Sequence, residues 1–590
     1  MEDLKTESHK MLKLEGVPAA PGIVIGTVFI MTGDKTKVQE RNIPPEKVDE
    51  EIKKFHRAID LTRNELSGIQ AKAKQQIGQE GEDIFDVHQL ILDDKMINDE
   101  IIQRIKNEQK NADFIYNDVL RKYQQSLETV DTDYFMGRLA DIDDVKRRLI
   151  RNIQGKNIFY ANNLKEPAVI VAHDFTPSDT VLLDRRKVLA FASDKGGKTS
   201  HAAIMARSLE IPSVVGLKEI SSNVQNGDTI IVDGINGGVI VHPTSSVLNK
   251  YLKLRSQYHE LTKELSKIRN LPGRTLDGKD VELSANLEFA DEINSIINYG
   301  ARGIGLYRTE YLYLAKEELP TEEEEFQEYY RVAETVNPHP VIIRTLDIGG
   351  DKNPRCIQFP EEGNPFLGWR AIRFCLEEVG VFKTQFRAIL RASIMGNVKI
   401  LLPMIAEVEE IQKAKQIIEE VKRELQSEKI PFDKNIEIGA MIEVPSAAIM
   451  ADVIAEEVDF LSIGTNDLIQ YTLAVDRGNM RIAHLYKRLP PAVLRIIKTT
   501  VDAGHSKGVW VGMCGEMAAD PLATLILLGL ELDELSVTSA ILPEIKNIIR
   551  SVTFADAQRF AEKALQMKSS EQVENYIRNV MATRYKMEIN

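Results

Sequence analysis

A chain of 590 residues is too long for one compact domain and predicts about two to four. Its 43% hydrophobic and 28% charged residues are an ordinary globular balance, and a net charge of -14 excludes the basic surface a nucleic-acid binder needs. No apolar run approaches the roughly 18 residues of a membrane span. Residues 1–15 lack the apolar core of a signal peptide, and three cysteines are too few for a disulfide framework, so a reducing cytoplasm is the expected compartment.

Residues 14–31 (LEGVPAAPGIVIGTVFIM) are small and β-branched, punctuated by Gly and Pro, which predicts two short strands and a turn. From about residue 44 to 153, Gly and Pro nearly vanish and apolar residues recur at helical spacing, as in Ile84, Val87, His88 and Ile91. Part of this segment is acidic, with Glu80, Glu82, Asp83, Asp86, Asp93 and Asp94 near only Lys95. Strand signals return at 168–171, 188–191, 213–215, 229–233 and 238–241, so the helical segment reads as an insertion in a discontinuous α/β domain. A Lys/Glu-rich helix over 245–270 ends at Leu271-Pro272-Gly273, an interdomain linker by composition.

Eight apolar runs then alternate with amphipathic helices: 281–286, 303–307, 341–345, 398–403, 436–442, 460–463, 509–513 and 534–537. That is the count of a (β/α)8 barrel, although doubly wound sheets alternate too. Arg308, Arg344, Glu443, Asn466, Asp467 and Cys514 each fall at or just after the end of a predicted strand, and in a barrel those ends converge on one face.

Four groups of residues carry chemistry. In DKGGKTSHAAIMARSLEIPSVVG (194–216), Gly-Gly gives a tight turn, Thr199-Ser200 reads as a helix cap, and His201 falls in the first helical turn. A helix N-terminus stabilises an anion such as a phosphoryl group on that imidazole and disfavours the imidazolium. The same position also suits an ordinary helix-start histidine, and no second His or Cys stands at metal-ligand spacing. Arg308, Arg344, Arg370 and Arg477, with Lys352, form a cationic set suited to a small substrate bearing phosphate and carboxylate. Glu443 and Asp467 end adjacent strands, either as hard oxygen ligands for Mg²⁺ or as partners of the arginines. Asn466 suits donation to a phosphate oxygen. Cys514, in VGMCGEMAAD, reads as a buried small hydrophobe or as an acid that protonates an enolate carbon.

The run GGKTSHAAIMARSLEIPSVVG resembles the phosphohistidine signature of the phosphoenolpyruvate-utilising enzymes. GIGLYRTE, IIRTLDIGGDK, NPFLGWRAIR, GTNDLIQYTLAVDRGN and VGMCGEMAAD resemble the phosphoenolpyruvate-binding barrel of the same family. The resemblance covers nearly the whole chain, and Ala519 stands where Gly is commoner in the family. It implies a multidomain α/β protein: a swivelling phosphohistidine domain (1–35 and 154–244), a helical carrier-binding subdomain (36–153), a helical linker (245–272), and a (β/α)8 barrel that also dimerises (273–590). It also implies phosphorylation at His201 with support from Thr199 and Ser200. Substrate would be held by Arg308, Arg344, Lys352, Arg370, Asn466, Asp467 and Arg477, Mg²⁺ by Glu443 and Asp467, and Cys514 would be the proton donor.

Two members of the family, the dikinase and the synthase, carry an ATP-grasp domain before the histidine domain. No glycine-rich phosphate loop occurs between Met1 and Gly155. FMGRLADIDDVKRRLI resembles the last helix of the subdomain with which the sugar-phosphotransferase branch docks its carrier protein, HPr. The resemblance therefore implies phosphoryl transfer from phosphoenolpyruvate to His201 and on to HPr, releasing pyruvate, by a homodimer that binds no nucleic acid and inserts in no membrane. A synthase-like enzyme without its nucleotide domain and a carrier-binding scaffold without turnover are the competing expectations.

Overall fold

A computed structural model describes residues 11–31, 38–77, 88–128, 133–155, 166–175, 185–197, 203, 206, 211–314, 318–350, 352, 354, 356–360, 362–477, 479 and 481–585. They fall into two compact units, residues 1–262 and 263–590.

The first unit holds an eight-stranded sheet made from both ends of its chain: β1 (Leu12–Glu15), β2 (Val17–Ala20), β3 (Ile23–Ile30), β4 (Ala168–Ala172), β5 (Val188–Ser193), β6 (Ser213–Val215), β7 (Thr229–Asp233) and β8 (Gly238–Val241). Their order is β1-β8-β7-β3-β4-β5-β6-β2. Three strands stand at the start, where the sequence suggested two. The two edge strands, β1 and β2, are joined by Gly16 alone, and one residue cannot span a flat sheet of this width at ~4.8 Å per strand. The sheet therefore curls until its edges meet. A Cβ on Gly16 would lie 2.5 Å from the Val215 carbonyl, so the crossing point admits only glycine.

Between β3 and β4 lie helices Val48–Ile77, Lys95–Glu108, Ala112–Glu128 and Asp133–Ile153. Phe55, Leu66, Ile101, Ile105, Ile115 and Leu149 close a core of their own. Glu80, Glu82, Asp83 and Asp86 lie outside the described residues, as do Ile84 and Val87. Asp93 meets Arg63 at 2.7 Å, and Asp94 caps Lys95–Glu108 by accepting from the Ile97 N–H at 3.0 Å. Two members of the acidic run thus have structural partners.

In the second unit β9 (Glu282–Leu287), β10 (Ile304–Tyr307), β11 (Val341–Arg344), β12 (Val398–Leu402), β13 (Ile438–Ile442), β14 (Phe460–Ile463), β15 (Trp510–Met513) and β16 (Glu534–Val537) form a closed parallel barrel. Closure is made by β16 on β9, with Leu535 opposite Leu283. Each predicted strand lies within two residues of an observed one. The large core sits between strands and helices, while Leu306, Ile342, Leu401, Met441, Phe460 and Cys514 pack together as a separate cluster. Parallel strands need long crossovers, so every strand ends on the same face, and that geometry gathers the unusual residues. Among the described residues no helix is long and apolar enough to cross a membrane.

Candidate active site

Arg344 closes β11 and is 5% exposed. Its guanidinium pairs with Glu310, three residues beyond β10, and meets Asp347 at 3.2 Å. Asp347 also receives Arg370 at 2.9 Å and Lys352 at 3.3 Å. Burial works to raise the Asp347 carboxyl, but Lys352, Arg370 and Arg344 outweigh it and hold the group well below the usual carboxylate range. Glu310 is likewise lowered: burial opposes ionisation, while Arg344 and Lys352 dominate. Two buried acids thus pin three cations side by side. Neither acid was anticipated, although both stand inside the quoted runs LYRTE and RTLDIGGDK.

The cations are nonetheless not saturated. Among the described residues the Nε groups of Arg308 and Arg344 are buried donors without an acceptor, and a buried unmade hydrogen bond costs about 1–3 kcal/mol. Arg370 bridges Asp347 to Asp467 at 3.5 Å and approaches the Tyr471 hydroxyl at 3.4 Å. Asp467 Oδ1 is buried and has no partner among the described residues. Glu443, one residue beyond β13, is 1% exposed and accepts from the Met404 N–H at 2.7 Å. Among the described residues it pairs with no cation. Burial, then the nearby Asp467 and Asp347 carboxylates, push Glu443 up to about 7 against the pull of Arg344 and Arg370. Two carboxylates short of positive charge, one with an orphaned oxygen, fit a small divalent cation that takes few protein ligands. Among the described residues no three metal-ligating side chains cluster, so such an ion would complete its shell with substrate and water.

Backbone conformation serves the same corner. Met404 (φ 57°), whose N–H holds Glu443, and Ala371 (φ 51°), beside Arg370, occupy positive φ, a costly state that persists where surroundings enforce it. A Cβ on Gly464 would come 2.7 Å from Glu443 Oε2, so glycine there leaves room for the carboxylate.

Cys514 follows β15 and is 1% exposed. Ser462 Oγ donates to its sulfur at 3.3 Å, and Asn286 Nδ2 donates to its carbonyl at 3.1 Å. Burial raises the thiol to about 11; the Ser462 hydroxyl, Arg344 and Arg308 pull it down and Glu443 opposes them. The thiol is therefore protonated at neutral pH and sits in the field of both arginines and Glu443. Asn466 is tied to Glu516 by reciprocal bonds, Nδ2 to Oε1 at 3.2 Å and Glu516 N–H to Oδ1 at 2.9 Å. Arg477 stands apart from the Asp347 cluster: its backbone N–H donates to Gln470, and its charge acts on Tyr486, whose hydroxyl donates to the Asn466 carbonyl at 3.3 Å.

Thr199, Ser200 and His201 lie outside the described residues. The loop leading to them is anchored by Asp194, which is 5% exposed and meets His173 Nδ1 at 2.8 Å and the Ser221 N–H at 2.9 Å.

Three family descriptions match the chain: "PEP-utilising enzyme, N-terminal" over residues 15–138, "PEP-utilising enzyme, mobile domain" over 164–237, and "PEP-utilising enzyme, PEP-binding domain" over 262–554. The phosphoenolpyruvate-protein phosphotransferase of Priestia megaterium is 42% identical over 567 residues, covering 96% of this chain and 99% of that protein. The proteins of the same name from Haemophilus influenzae and Bacillus subtilis are 42% and 43% identical, each over 96% of this chain and 98% and 99% of their own length. Identity of this order, sustained along both whole chains, places this one in the phosphoenolpyruvate-utilising enzyme family, among its phosphoenolpyruvate-protein phosphotransferases.

Proposed function

We propose that this chain moves a phosphoryl group from phosphoenolpyruvate to His201 and on to the carrier protein HPr, the first general step of sugar uptake by the phosphotransferase system. The observation that carries the reading is the barrel mouth: among the described residues, buried arginine donors without acceptors stand beside Glu443, which pairs with no cation, an Asp467 oxygen without a donor, and a protonated buried thiol. An anionic substrate that arrives with a divalent cation satisfies all of these groups at once.

In this reading Arg308, Arg344 and Arg370, with Lys352, hold the phosphate and carboxylate, while Asn466 and Arg477 close the side of the site beyond Asp467. Glu443 and Asp467 would hold Mg²⁺, whose charge would offset that of the anionic phosphoryl group. The neutral imidazole of His201 attacks phosphorus and a P–N bond forms as the P–O bond to enolpyruvate breaks. The Cys514 S–H then gives its proton to the terminal enolate carbon, completing pyruvate, and the thiolate recovers a proton from solvent. Thr199 and Ser200 steady the imidazole. The HPr histidine finally takes the phosphoryl group from His201.

We assign 1–35 and 154–244 to the phosphohistidine domain, 36–153 to carrier docking, 245–272 to the linker, and 273–590 to catalysis and dimerisation. Three free cysteines support a reducing cytoplasm as the working compartment. The test is to mix the full chain with phosphoenolpyruvate and Mg²⁺ without ATP and assay for an acid-labile, base-stable phosphate. Label that vanishes in His201→Ala and transfers to HPr is expected. Label that requires ATP would indicate a synthase-like enzyme, and no label in either case a scaffold.

A further inference from the structure

At the opposite end of the barrel, where strands begin, a polar cavity of about 270 Å³ opens between the start of β9, the residue stretch before β10 and helix Leu542–Arg550. That is several times the ~30 Å³ share of a water molecule, enough for a small organic anion. Its wall carries Arg274, Arg302 and Lys546 against two acids, Asp280 and Glu282. Asp280 is consumed: both of its oxygens accept from Arg274, each at 2.7 Å. Arg302 makes no ion pair within 4 Å among the described residues, although its charge is felt by Asp280, Glu282 and Lys546.

Lys546 is 1% exposed, which is unusual for a lysine. Its ammonium donates to the Arg269 carbonyl at 2.5 Å and the Gly300 carbonyl at 3.0 Å. An ammonium has three protons, and the third has no acceptor among the described residues. Burial lowers Lys546 to about 8, and repulsion from Arg302, Arg550 and Arg269 adds to this against the single opposing pull of Glu282. The local field is positive, and no phosphoryl-transfer role falls here, since the mouth lies at the other ends of the strands.

We propose that this cavity binds a small phosphate-bearing anion, held by the Arg302 guanidinium and the third N–H of Lys546. Leu271, Pro272 and Gly273 form part of its wall, and Arg550 Nη1 already donates to the Pro272 carbonyl at 2.8 Å. The ligand therefore seats against the segment that joins the barrel to helix Ser245–Ile268, and its binding stiffens that segment. The site stands independently of the catalytic reading, because none of its residues belongs to the barrel mouth.

Hydrogen exchange on the full chain tests this, with inorganic phosphate as probe and Mg²⁺ omitted so that phosphoenolpyruvate can occupy the mouth without turnover. Phosphate is expected to slow exchange in 269–283 and 542–550, and saturating phosphoenolpyruvate should leave that protection in place while displacing phosphate from the mouth. Arg302→Gln should weaken the phosphate concentration dependence by about tenfold, the worth of one charge-assisted contact, with catalytic turnover unchanged. A phosphate monoester acting at lower concentration than inorganic phosphate assigns an organic phosphate as ligand; equal potency assigns the inorganic ion. Absent protection, protection abolished by phosphoenolpyruvate, protection indifferent to Arg302→Gln, or equal protection by a dicarboxylate would each overturn the proposal.

Discussion

A thiol raised to about 11 by burial stays protonated at neutral pH, which makes it a poor nucleophile but keeps a proton in place to donate. Cys514 therefore suits donation to carbon, where no electronegative atom would compete for the proton. Cys514→Ala should slow pyruvate formation roughly 100- to 10,000-fold, the range of general acid catalysis. Exchange of phosphate between phosphorylated enzyme and HPr should survive, because that step involves no carbon acid. Pyruvate released by the variant at the normal rate would remove Cys514 from the mechanism. Asp347 makes a different kind of prediction, since it touches three cations and is 1% exposed. Asp347→Asn leaves Arg344, Arg370 and Lys352 short of a counter-charge, and removing one partner from a buried ion network costs about 3–5 kcal/mol. Barrel unfolding should shift by that order, and KM for phosphoenolpyruvate should rise more than kcat falls, because the cations lose alignment rather than chemistry. An unchanged KM would show that the arginines hold their places without Asp347.

At the scale of elements, the barrel was legible because parallel strands buried on both faces read as short apolar runs, and the helices between them carry their own period. The first three strands were harder. β1 and β2 differ in partner but are separated by one glycine, and a single residue carries no pattern that announces a change of sheet edge. The strand-end cations and carboxylates were legible by position, whereas the Glu310–Arg344 contact joins residues 34 apart and appears only when β10 and β11 lie side by side. Equally hidden was Glu534, an acid that opens β16 at 4% exposure. Cβ atoms on Gly305 and Gly512 would lie 2.8 and 2.9 Å from its carboxylate oxygens, so two glycines make space for it. Burial, reinforced by the neighbouring Glu282 carboxylate against the pull of Lys399, pushes Glu534 to about 7 from an ordinary 4.5. Between those values the folded chain keeps a proton that the unfolded chain has released, so stability falls as pH rises from about 4.5 to about 7 and is flat beyond. Glu534→Gln should remove this slope and stabilise the barrel above pH 7 by on the order of 3 kcal/mol. Denaturant unfolding at pH 5 and pH 8 measures it, and equal gains at both would mean the carboxyl does not titrate in this window.

Over the whole molecule, the proposed phosphoryl acceptor His201 and the barrel mouth belong to different compact units, so the proposed turnover would need the two to meet and part. A barrel that receives a moving domain benefits from a rigid base, and assembly is one way to provide it. The surface just beyond Glu443 suits that purpose. Helices Pro445–Ile449 and Ala451–Ile454 follow β13 directly and expose Ile449 at 74%, Met450 at 44% and Val453 at 36%. Three neighbouring large apolar side chains on two short helices and the residue between them exceed the scattered exposure expected of a free surface. We propose that the barrel dimerises and does so through this face, which would couple assembly to the position of Glu443 through a single residue, Val444. Ile449→Asp should then weaken the dimer by roughly 100-fold, the loss typical of one central apolar contact. Sedimentation velocity across a dilution series would show dissociation at higher protein concentration than for the unaltered chain, with circular dichroism unchanged. Specific activity should fall on the same dilution curve if the face also steadies Glu443. Dissociation without loss of activity would keep the interface and discard the coupling, whereas unaltered sedimentation would move the contact to another face of the barrel.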